Sequence, residues 1–148
     1  MAFAMKYGFA LVALGLAAAA RAGPVEVAVG GLRAGGTLYV ALQSRDEFMK
    51  PGGTYGRMIA GPMAGDLVVR FPDVKPGDYA VTLWHDDNGN GSFDADPASG
   101  RPLDGWAFSR ATALTGAPTF DDVKIAIPAE GVKLSLPVHY GRGVGEAR

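Results

Sequence analysis

The sequence predicts an all-β fold, a single antiparallel β-sandwich of about seven strands with one long irregular loop. Two observations carry that expectation. Apolar residues alternate with polar ones at a period of two in run after run, and no stretch repeats at the helical period. The 22 glycines and 10 prolines fall mostly between these runs, where they punctuate turns. Short strands at regular spacing with turn chemistry between them suit two packed sheets better than a βαβ plan.

Taken in order, Val25, Val27 and Val29 mark the first strand, and Leu38, Val40 and Leu42 the second. Residues 57–60 form a weaker candidate. Leu67, Val69 and Phe71 follow, then Tyr79, Val81 and Leu83, then Val123, Ile125 and Ile127. The last run holds Val132, Leu134, Leu136, Val138 and Tyr140. Pro137 has no N–H for a ladder, which assigns that strand to a sheet edge. Residues 43–56 read as a polar connection, and 96–119 as a loop in which Trp106 and Phe108 fold back as a plug over one end of the sandwich. The competing role for Trp84, Trp106 and Phe108 is an aromatic platform for a glycan.

The first 22 residues carry Lys6, an apolar run and Ala20-Arg21-Ala22, the pattern of a secretory signal. The apolar run is too short to span a bilayer, so no stable membrane anchor is expected after cleavage. Residues 23–140 then form the domain and 141–148 a flexible tail, in a periplasmic or secreted protein. With no cysteine the chain builds no disulfide framework. Without Lys6 and Arg21, 12 basic residues face 15 acidic ones, a formal charge of −3 that disfavours nucleic acid as a partner.

The most specific chemistry lies at Asp86-Asp87-Asn88-Gly89-Asn90-Gly91-Ser92-Phe93-Asp94-Ala95-Asp96. Counting Asp86 as the first position, Asn88, Asn90, Ser92 and Asp94 occupy the third, fifth, seventh and ninth, with Gly91 at the sixth. That is the ligand spacing of a calcium loop. Position twelve is Pro97 instead of a bidentate glutamate, so Asp96 is the compensating ligand, and the site is expected to be weak, about 10⁻⁴ to 10⁻³ M. Residues 76–100 contain no Lys or Arg to screen the acids. The competing role is a bare turn, for which Asn-Gly pairs and Asx side chains are equally suited. Asn90-Gly91-Ser92 matches a glycosylation acceptor by accident of composition.

Only His85 and His139 could supply imidazole, and their strand phases point them to opposite faces, which disfavours a shared zinc site. His85 is expected at a strand mouth, hydrogen-bonded to the acidic loop. No nucleophile elbow surrounds any serine. A non-enzymatic binding or envelope-accessory module with a protein or glycan ligand is the expected function, against a small hydrolase using His85 with Asp86 or Asp104, or a metal-free structural envelope protein.

The segment Lys75-Pro76-Gly77-Asp78-Tyr79 is similar to the Pro-Gly-x-Tyr turn of transthyretin-like and carboxypeptidase-regulatory-like sandwiches. Joined to residues 85–91, to Gly105-Trp106-Ala107-Phe108-Ser109 and to Pro118-Thr119-Phe120-Asp121-Asp122, it resembles the exported bacterial proteins of domain-of-unknown-function family 2141. Trp106 and Ala107 stand where members typically carry tyrosine and glycine. The resemblance implies export and a transthyretin-like or immunoglobulin-like sandwich, and no established activity.

Overall fold

The computed structural model describes residues 21–111 and 116–141. The signal segment and the tail expected from the sequence lie outside them, save for residues 21, 22 and 141. The strands are β1 (Gly23–Leu32), β2 (Thr37–Gln43), β3 (Tyr55–Ala60), β4 (Gly65–Val74), β5 (Gly77–Asp86), β6 (Gly105–Phe108), β7 (Lys124–Ile127) and β8 (Val132–Pro137), with one helical turn, α1 (Phe120–Val123), before β7.

They form a three-stranded sheet in the order β4-β1-β8 and a five-stranded sheet in the order β3-β2-β5-β6, with β7 also on β5. Alternation decides which side chains go between the layers. Val25, Val27 and Val29 of β1 and Phe71 of β4 meet Leu38, Val40 and Leu42 of β2 and Val81 of β5, all at most 1% exposed. Truncating Phe71 to alanine removes its transfer free energy and leaves a cavity, about 3–5 kcal/mol in sum.

Three expectations need correction. The sandwich is not wholly antiparallel, because β8 runs parallel to β1 from Val25↔Val132 to Gly30↔Pro137. Parallel neighbours need a long crossover, and here the whole intervening chain supplies it. The long irregular loop contains β6, whose four residues pair with β5 from Thr82↔Phe108 to His85↔Gly105; a strand so short and so rich in glycine and aromatics shows too little alternation to be recognised. Finally, Val123 ends α1 instead of opening a strand. A capping box starts that turn: the Thr119 hydroxyl accepts from the Asp122 N–H, and the Asp122 carboxylate accepts from the Thr119 N–H. Four residues are too few for helical periodicity to register in a sequence.

Pro137 does lie in an edge strand, at the rim of the smaller sheet. The outer face of β5 is shielded at one end, where Ala80 packs under Phe48, Phe108, Phe120 and Val123. Ser109 fastens that end: its hydroxyl accepts from the Val81 N–H at 2.9 Å and donates to the Val123 carbonyl.

Candidate functional site

The outer face of the five-stranded sheet carries two neighbouring features, a row of rings and the acid-and-amide turn. Register creates the row. Met58, Tyr39, Trp84 and Trp106 are successive cross-strand partners on β3, β2, β5 and β6, and His139 continues the line through an isolated bridge to Trp106. Tyr39 stacks on Trp84 at 4.7 Å between centroids, and Trp106 stacks on His139 at the same spacing. Phe93, reaching up from the turn, sits edge-on to Trp84 at 6.3 Å and is half exposed. Trp106 and Phe108 are therefore not a plug over the end of the sandwich. Their strand phase sets Ala107 into the core and both rings on the outer face.

The turn begins where β5 ends. Asp86 is 2% exposed and accepts three backbone N–H groups, Gly89 at 2.8 Å, Asn90 at 3.1 Å and Gly91 at 2.8 Å. Gly89 and Gly91 hold φ of 73° and 75°, which glycine adopts without the Cβ penalty. The Asn88 side-chain oxygen accepts from the Asn90 N–H at 3.0 Å, and that of Asn90 accepts from the Ser92 N–H at 2.9 Å. Both amide nitrogens then converge on one oxygen, Oδ2 of Asp94, at 2.7 and 2.8 Å. Asp86, Asn88, Asn90, Ser92 and Asp94 are thus drawn into a single curl.

Asp96 stands apart. Its carboxylate accepts from the N–H groups of Ala98 and Ser99 and from the Ser99 hydroxyl, and those bonds, that of the Ser99 N–H foremost, hold it below the ordinary aspartate range. The chain returns in a small hairpin, with the Leu103 N–H on the Asp94 carbonyl and the Asp96 N–H on the Arg101 carbonyl. Asp104, 1% exposed, ties turn to platform, accepting the Trp84 indole N–H at 2.8 Å and the Asp94 N–H at 3.1 Å.

Below the turn lies a buried lock that sequence reasoning missed. His85 is fully buried and in phase with the core, as expected, but its ring nitrogens bond elsewhere than to the acidic loop. Its Nε2 lies 2.8 Å from the Gly35 carbonyl, which can only accept, so that nitrogen carries the proton. The Tyr140 hydroxyl, 2.6 Å from Nδ1, donates to it and accepts from the Arg33 N–H at 3.0 Å. Burial pushes the Tyr140 phenol up, which keeps that proton in place. The Arg33 guanidinium lies over the Tyr140 ring and pairs with Asp87 at 2.9 Å. The acids of the turn are therefore less bare than the run of sequence without bases suggests. The base comes from the β1–β2 connection, more than fifty positions away. His139, on the opposite side as expected, buries an Nε2 with no partner among the described residues.

Among the described residues neither histidine meets a carboxylate, and the hydrolase pairing of His85 with Asp86 or Asp104 is not formed. Among the described residues no three His, Cys, Asp or Glu side chains gather to hold a metal; amide and carbonyl oxygens are outside that count.

Fold and site together define a small β-sandwich with an aromatic outer face bordered by an acid-and-amide turn. The chain belongs to domain-of-unknown-function family 2141, described as an uncharacterised protein conserved in bacteria, whose profile matches residues 27–135. No curated protein and no solved structure matches it.

Proposed function

We propose that the protein is an exported, non-enzymatic binding or envelope-accessory module, periplasmic or secreted, whose turn takes up calcium weakly and whose aromatic row faces a protein or glycan ligand. The observation that carries this reading is the convergence of Asn88 and Asn90 on the Asp94 carboxylate, with Asp86 rooted beside them. An ion at that point would be met by Asp94 directly. For the two amides to offer oxygen they must rotate, which forfeits both the bonds from the Asn90 and Ser92 N–H groups and the two amide bonds to Asp94. Four such bonds are worth about 2–6 kcal/mol together. The ion has to offset that sum, which agrees with a weak site.

The intact amide network favours a second reading, a metal-free turn in a structural envelope protein. Thermal melts in about 1 mM calcium and in chelator separate the two. A dissociation constant of about 10⁻⁴ M stabilises the fold by about 1.4 kcal/mol under those conditions. Asp94→Ala should abolish the shift while leaving the Asp86 bonds in place. Equal melts in both buffers, or an undiminished shift in Asp94→Ala, refute the calcium reading.

A further inference from the structure

We infer that β3 is a pairing edge for a second copy of this chain, joining two five-stranded sheets into one around a two-fold axis at Met58. The edge is defined by the direction of the backbone groups and owes nothing to calcium. Trp106 and His139 exchange backbone hydrogen bonds, and the Ser109 N–H donates to the Val81 carbonyl, so β6 presents residues 105 and 107 to β5, with 109 just beyond it in the same phase. Strand groups alternate sides, and the alternation carries across the registers: β5 turns 80, 82, 84 and 86 to β2, and β2 turns 38, 40 and 42 to β3. The Gly61 N–H on the Gly36 carbonyl, the next pair in that series, agrees.

Tyr55, Arg57 and Ile59 are thereby bonded inward, and Gly56, Met58 and Ala60 direct their N–H and C=O groups away from the sheet. β3 is terminal in its sheet, contains no proline, and exposes Met58 at 68%. These are the features that proteins usually avoid at an edge. What guards this one is slight: Arg57 donates to the adjacent Gly56 carbonyl at 3.0 Å while its guanidinium lies over the Phe71 ring.

The occupant follows from self-complementarity. Antiparallel pairing centred on Met58 sets Gly56 against Ala60 of the other copy, so the flanking positions are small. It sets Arg57 against Ile59, so neither charge lies directly opposite its own kind. Met58 meets Met58, and the row that runs through Tyr39, Trp84 and Trp106 continues across the axis. The Gly56 carbonyl exchanges the Arg57 side chain for a backbone N–H of the second copy. An interface of one strand pair is small, and association is expected to be weak and concentration-dependent.

Cross-linking tests the register, because the chain has no cysteine of its own. Met58→Cys should form a disulfide dimer, since directly opposed, hydrogen-bonded residues lie about 5.5 Å apart at Cα. Ala60→Cys should not, because the two copies of that residue are offset by four positions, about 14 Å along the strands. In sedimentation the wild type should dimerise with a Kd below about 1 mM, the range of weak complexes, and Met58→Lys should weaken dimerisation at least tenfold. Unchanged melts of the variants confirm that each monomer is intact. A wild type monomeric at every concentration, whether or not it captures some other extended chain, overturns the inference, as does equal cross-linking of the two cysteine variants.

Discussion

Asp86→Ala should destabilise the protein more than any other single truncation in the turn, with or without an ion. The carboxylate is 2% exposed and accepts the Gly89, Asn90 and Gly91 N–H groups at 2.8, 3.1 and 2.8 Å. Hydrogen bonds to a charged acceptor can contribute about 1.5–3 kcal/mol each, but water reaches these three donors once the carboxylate is gone, so about 1 kcal/mol each is the better figure. The expected loss is about 3 kcal/mol, or about 9–15 °C in melting temperature for a domain of this size. Gly36 adds to the cost of any rearrangement there, since its α-carbon lies against the Asp86 carbonyl so closely that a Cβ would fall 2.0 Å from that oxygen. Urea unfolding in chelator isolates the effect from calcium. Asp96→Ala is the control: its bonds close only its own exposed turn, and its effect should be clearly smaller. If Asp86→Ala unfolds within about 0.5 kcal/mol of wild type, the range of an ordinary surface substitution, the claim that this carboxylate holds the turn is refuted.

Two further outcomes follow from other contacts. Tyr140→Phe removes the only partner of His85 Nδ1 in the lock and the acceptor of the Arg33 N–H, and should cost about 2–3 kcal/mol in denaturant unfolding. Glu47 is held down to about 2 by the Thr54 hydroxyl first and by Ser44 next. A carboxyl with a depressed folded pKa stabilises above its unfolded value, about 4.5, and that contribution fades as pH falls toward 2. The stability gap between wild type and Glu47→Gln should therefore be fully present at pH 6 and close by about pH 2; a gap independent of pH would contradict the assignment.

The sandwich was legible because alternation at a period of two states directly which side chains avoid water. Val25, Val27, Val29, Leu38, Val40 and Leu42 are buried as their spacing requires. The curl of residues 86–94 was legible for a related reason: Asx side chains bond backbone only a few positions away, and glycines at 89 and 91 permit the required φ. The sequence by itself thus determined the class of fold, the place of the turn and the opposite directions of His85 and His139.

Tertiary structure decided everything that depends on which strands become neighbours. Nothing local in Gly105–Phe108 announces a strand; it becomes one because β5 offers it a free ladder, and that pairing lines up Trp84 with Trp106. Nothing near Asp87 announces Arg33, and nothing near His85 announces Tyr140, because 54 and 55 positions separate those partners. The parallel seating of β8 on β1 likewise joins the two ends of the domain. Periodicity encodes which face of an element is apolar, a one-body preference. Ring stacks, buried locks and ion pairs are two-body contacts, fixed only after the sheets have chosen their order.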